Sequence, residues 1–199
     1  MIKNILLSIL IFALCVFLCS CSSNYSKDIH FIHAIFLDNN QKKDEYRILT
    51  VIEKQSKSNS KNDENFFCDT FVAKNYEKAI GKLSEKYENT YFASNTLYFF
   101  DKNTSSNALF NTALFLCQSN ILPSKANAVM IHNCLPYDFL SAIKSQEDIK
   151  NILRLTEDKK INVIHFLANY NNKAILQKTP VFTLSQNNQI ALHNNKEEG

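Results

Sequence analysis

Between residues 28 and 192 the apolar positions change period several times, and each change marks an element. From Asp28 to Asp38, the positions Ile29, Phe31, His33, Ile35 and Leu37 alternate with His30, Ile32, Ala34 and Phe36. Both sets are largely apolar, which predicts a strand buried on both faces in the middle of a sheet. A polar turn over 39–44 leads to a return strand over 45–54, with Tyr46, Ile48 and Thr50 alternating against Leu49 and Val51. Residues 55–65 are rich in Ser, Lys and Asn, lack periodicity and predict a mobile loop. An extended apolar run over 66–74 follows. Then Tyr76, Ala79, Ile80, Leu83 and Tyr87 recur at helical spacing, with Glu77, Lys78, Lys82, Glu85 and Lys86 opposite, so 75–88 predicts an amphipathic helix. Gly81 inside it costs about 1 kcal/mol against Ala, and a close backbone contact is its expected reason.

Residues 90–101 predict one strand through Tyr91, Phe92 and Leu97 to Phe100. Ser105 or Ser106 can cap a helix over 106–119. Its Leu109, Phe110, Ala113, Leu114, Phe115, Leu116 and Cys117 leave little polar face, so burial is expected all round. Beyond Pro123, a strand over 126–133 runs through Val129, Met130 and Ile131. Residues 137–156 read as helix, a short piece after Pro136 and then a capping box from Ser145 to Asp148 ahead of Ile149, Ile152 and Leu153. Over 160–171 both periods fit: Ile161, Ile164, Leu167 and Ala168 suit a helix, and Ile161, Val163, His165 and Leu167 suit alternation. Short strands over 179–184 and 189–192 flank a polar turn, and 194–199 reads as a flexible tail. The pattern predicts one α+β (mixed α/β) domain over 28–193. Its mixed, partly antiparallel sheet (28–38, 45–54, 66–74, 90–101, 126–133) is flanked by helices 75–88, 106–119 and 137–156.

The chain ahead of this domain follows a different rule. Lys3 is followed by an apolar run from Ile5 to Leu18 broken only by Ser8, which suits a signal-peptide core and is short for a membrane span of ~20 residues. The run ends in Leu18-Cys19-Ser20-Cys21, an aliphatic residue, a small one and a cysteine. This resembles the bacterial lipoprotein lipobox. The resemblance implies a signal peptide over 1–20, lipidation of Cys21 on sulfur as the mature N-terminus, a tether over 21–27, and a protein anchored by lipid on the outer face of the cell membrane.

Composition removes several classes of function. The 199 residues carry a formal charge of +3, and +2 without Lys3, so there is no basic stripe for nucleic acid. Only two glycines, Gly81 and Gly199, are present, so no glycine-rich phosphate loop can be written and no cofactor is expected. Cys15 and Cys19 fall in the signal, leaving Cys68, Cys117 and Cys134 beyond Cys21. Three buried thiols acting as small hydrophobes are expected, though one pair could bridge. His30 and His33 lie three apart on a strand and face opposite sides, so they cannot share a metal ion. His132 and Cys134 fall on one strand face, at a separation of roughly 6–7 Å that is too long for a thiol–imidazole pair. The aromatic run from Tyr91 to Phe100 suits core packing, with a sugar or peptide groove as the other use. Asp63-Glu64 and Glu147-Asp148 sit where solvated or capping carboxylates belong. No catalytic set emerges.

The order of these pieces is similar to the N-terminal domain of the C-subunit lipoproteins of spore germinant receptors, the Ger(x)C type. The residues that carry the resemblance are the lipobox Cys21, then Asp28-Ile29, the strand His33-Ala-Ile-Phe-Leu-Asp38 and the second strand Tyr46-Arg-Ile-Leu-Thr-Val51. Next come the helix Asn75 to Ser84, the segment Thr90 to Tyr98 with Asn95 where the family carries a histidine, the strand Ala126 to Ile131, and Thr179-Pro-Val-Phe182. Ser22-Ser23-Asn24-Tyr25 replaces the family's Trp-Asp pair, and the family's long C-terminal part has no counterpart after residue 192. The resemblance implies a non-catalytic, membrane-tethered subunit or accessory that docks on integral membrane receptor subunits, in the inner spore membrane. A stand-alone lipoprotein that captures a small ligand or peptide is the alternative. An exposed apolar patch would mark docking, and a closed pocket with convergent polar groups would mark capture.

Overall fold

The computed structural model describes residues 28–40, 43, 45–55 and 65–193. The proposed signal peptide, Cys21, the tether, most of the predicted loop over 55–65 and the tail all lie outside these residues. Strands β1 (Ile29–Asn40), β2 (Glu45–Gln55) and β3 (Phe66–Ala73) come first, followed by helix α1 (Tyr76–Lys86). Strands β4 (Thr90–Tyr91) and β5 (Leu97–Asp101), helix α2 (Ser106–Gln118) and strand β6 (Asn127–Ile131) come next. Helices α3 (Pro136–Ser141), α4 (Gln146–Leu155), α5 (Val163–Ala168) and α6 (Lys173–Lys178) then lead to the final strands β7 (Val181–Leu184) and β8 (Ile190–Leu192).

One mixed sheet results, in the order β3-β2-β1-β5-β6-β7-β8, with β4 added to the start of β1. The hairpins β1–β2, β2–β3 and β7–β8 are antiparallel, whereas β1, β5, β6 and β7 run parallel. Parallel neighbours need crossovers, and helices supply them on both faces. Against one face pack α1, α2 and α5 through Ile80, Leu83, Phe115, Leu116, Phe166 and Leu167. Against the other pack α3 and α4 through Phe139, Leu140, Ile149 and Ile152. This is the α+β domain that the pattern predicts. β1 is paired on both sides and buried on both faces, as its double apolar alternation requires.

The structure revises some local expectations and settles others. β1 carries a bulge between Ile32 and Ala34, where its register against β2 shifts. His30 and Ile32 therefore share the α1 face with Ile35 and Leu37, while Phe31 falls in phase with Ala34 and Phe36. Strict period two cannot cross a bulge, because one extra residue inverts everything beyond it. The predicted strand over 90–101 is two strands separated by a 3₁₀ turn, Phe92–Ser94, which lets Phe92 drop into the α1-side core. The helical segment over 137–156 is two helices, as the capping box implies, divided where Ser145 accepts from the Asp148 N–H and caps α4. Of the two periods that fit 160–171, the helical one holds over 163–168, with the Asn162 side chain capping α5, and the turn after it leads into α6, which the pattern does not predict. Gly81 has no close neighbour; a Cβ there would meet no atom within 4 Å.

Candidate docking surface

Helix α2 joins the end of β5 to the start of β6 and so runs back along the sheet. Ser105 caps it by accepting from the Ala108 N–H. Ala108, Leu109, Thr112, Phe115 and Leu116 form its buried face. Thr112 also anchors α1: its hydroxyl donates to the Ala108 carbonyl at 2.9 Å, so the Tyr76 hydroxyl, 2.9 Å from it, is the donor between them. Burial drives the Tyr76 phenol far above its ordinary pKa, which keeps this donor protonated.

The opposite face of α2 does not follow the expectation of burial. Phe110 is 56 % exposed, Leu114 is 49 % exposed and Ile121, just past the helix, is 58 % exposed. Cys117 is exposed between them, which also corrects the expectation of three buried thiols. Spacings of four and three residues place Phe110, Leu114 and Cys117 in one stripe of the helix, and Ile121 follows beyond its C-terminal end. No charged residue occurs from Ser106 to Gln118, whereas α1 has five on its outer side. Beside the end of the stripe, Glu77, Ile80, Phe115 and Gln118 to Ile121 line a mostly apolar groove of about 430 Å³. A solvated helix face normally carries charge, so a charge-free apolar stripe beside a groove is a surface suited to a partner.

The polar residues singled out in the sequence are dispersed. His30 donates through Nδ1 to the Glu88 carbonyl at 3.0 Å, with its ring 4.9 Å from that of Tyr87. His33 reaches the other way: Nε2 lies 2.7 Å from Glu53 Oε2, and the ring stacks on Phe66. Gln146, the first residue of α4, donates to the same Glu53 oxygen at 3.0 Å, and Gln55 donates to the other at 3.3 Å. Burial alone would raise the Glu53 carboxyl, but the hydrogen bonds from Gln146, His33 and Gln55 hold it below its ordinary value. This cluster ties the bulge of β1 to β2 and to α4. Asn95, 3 % exposed, directs its amide nitrogen to the carbonyls of Leu97 (2.9 Å) and His33 (3.1 Å), closing the bulge from the β5 side.

His132 and Cys134 do not share a strand face as predicted. β6 ends at Ile131, and Asn133 turns the chain with a φ of 54°. Cys134 packs into the α3–α4 core, and His132 faces His193 with ring centroids 5.3 Å apart. Burial raises the Cys134 thiol and pushes the Cys68 thiol up to about 11, so both are protonated at neutral pH and poor nucleophiles. Beside α3, Asp138, Ser141, Ala142, Lys144, Leu184 and Asn188 line an open cleft of about 600 Å³. Among the described residues, no group of three His, Cys, Asp or Glu side chains could hold a metal ion, and no helix is long and apolar enough to cross a membrane. Compared with models of known protein families, with curated proteins and with solved structures, the chain matches none.

Proposed function

We propose that this protein is a lipid-anchored, non-catalytic subunit or accessory that docks on an integral membrane partner through the outer stripe of α2. The observation that carries the reading is the charge-free apolar stripe of α2, Phe110, Leu114 and Cys117, left in solvent with Ile121 beyond its end. The Ger(x)C resemblance makes a polytopic germinant-receptor subunit the partner, and lipidation at Cys21 raises the effective concentration of the domain beside it.

The test is crosslinking and pull-down from membranes of sporulating cells, with wild type beside Phe110→Ser and Leu114→Ser combined. Both positions are exposed, so the double variant keeps the wild-type unfolding midpoint. The expected result is recovery of a polytopic protein by wild type and at least a tenfold loss with the variant, about 1.4 kcal/mol or more. Recovery of no integral membrane partner by wild type, together with unaltered germination on deletion, would end the receptor-subunit reading. Capture of a small ligand at the cleft beside α3 then becomes the leading function.

A further inference from the structure

We infer that the amino edge of the sheet, led by the stacked pair Phe31 and Tyr91, rests on the interfacial layer of the bilayer that holds the anchor. This rests on the lipid-anchor reading of Cys21. Six residues, 22–27, separate Cys21 from Asp28. Even fully extended, the seven residue steps from Cys21 to Asp28 span about 25 Å, so Asp28 lies no farther than that from the bilayer surface. Asp28 is fixed at the amino edge, where its carboxylate pairs with Lys54 at 2.9 Å and β1 begins beside it. β1 has 12 residues, and at ~3.3 Å per residue its far end is about 36 Å away. The reach of the tether is shorter than the strand. The carboxyl edge, where β1 ends, therefore cannot be the end that faces the membrane.

Of the two strand-end edges, the amino edge is the one within the tether's reach, and it has side chains an interface selects. Tyr91 pairs with Phe31 in the β1–β4 ladder; the rings lie 5.5 Å apart at 26°, and Tyr91 is 52 % exposed. Tyrosine places an apolar ring and a polar hydroxyl at the headgroup boundary, where tyrosine is enriched in membrane proteins. The Asp28–Lys54 pair offsets one charge of each sign beside the aromatic pair, and the contact draws on aromatic burial, so neutral phosphatidylcholine is the membrane probed. With this edge down, α2 stands along the sheet and presents its stripe sideways, toward a protein embedded in the same bilayer.

The chain has no tryptophan, so one introduced residue is an unambiguous probe. Tyr91→Trp is compared with Leu114→Trp on the α2 stripe and Tyr137→Trp at the start of α3. The lipidated protein is extracted from membranes and reconstituted in phosphatidylcholine vesicles with or without a nitroxide on the acyl chain near the headgroup. In parallel, the mature chain from Cys21 to Gly199 with an N-terminal hexahistidine is held on phosphatidylcholine vesicles containing a nickel-chelating lipid. The expected result is a blue-shifted residue 91 probe quenched about twofold by the nitroxide lipid, with the probes at 114 and 137 unchanged. An unquenched probe at 91, or quenching at 137 in its place, overturns the proposal. Failure of the anchor reading is separately visible: the mass of the N-terminal peptide from membrane-extracted protein would then show Cys21 without acyl chains, whereas the nickel-tethered vesicles still report which edge meets the bilayer.

Discussion

At the scale of single residues, the most constrained polar group is Glu53. It accepts from His33, Gln146 and Gln55 within a setting that is 9 % exposed. Its folded carboxyl sits below the unfolded value, so the stability it contributes is present above the unfolded pKa and is lost as pH falls through the folded one. Asp69 acts in the same direction: burial would raise it, but Lys86, Tyr87 and the Thr70 N–H hold it low. Stability should therefore fall on acidification below the ordinary carboxylate range, and Glu53→Gln should show a shallower loss than wild type in urea unfolding followed from neutral pH into that acid window. A slope equal to wild type would mean that Glu53 ionises alike in both states. His33 also shows what reading single residues can miss. Its histidine character is plain in the sequence, but its partner lies 20 positions away. That contact arises only because a bulge turns the ring toward β2.

At the scale of elements, the amphipathic helix α1 was legible in full. Its buried residues Tyr76, Ala79, Ile80 and Leu83 follow the predicted stripe, and Asn75 caps it by accepting from Lys78. One expectation within it fails: the glycine is not held by packing. Since a Cβ at position 81 would meet nothing within 4 Å and its φ is not positive, Gly81→Ala should stabilise the fold by about 0.5–1 kcal/mol, chiefly by restricting the unfolded chain. Thermal and urea unfolding midpoints check it, and a destabilised variant would reveal a clash that the packing does not contain. Helix α2 was legible as a helix but not in its orientation. Apolar residues surround it, so periodicity could not select the face that meets the sheet. Packing chose Leu109, Phe115 and Leu116 and left Phe110 and Leu114 outside.

At the scale of the whole molecule, the proposals concern placement. The lipobox reading predicts that Cys21→Ala blocks both acylation and cleavage after Ser20, leaving a full-length precursor without lipid label. Immunoblotting and lipid labelling check it, and a normally processed, labelled product would refute the assignment of Cys21. A blocked variant should also lose much of its partner recovery, because the domain then meets the partner at its bulk concentration. The sequence by itself determined the α+β class, the central position of β1, the cap at Ser145 and a serine cap at 105 or 106. These depend on periodicity and on short-range hydrogen bonds that neighbouring residues complete. Only the tertiary structure decided the bulge at His33, the break of the 90–101 segment, the helical state of 163–168 and the exposure of Phe110 and Leu114. Each of these is settled by long-range packing, in which local preferences nearly balance and contacts from residues distant in the chain tip the outcome.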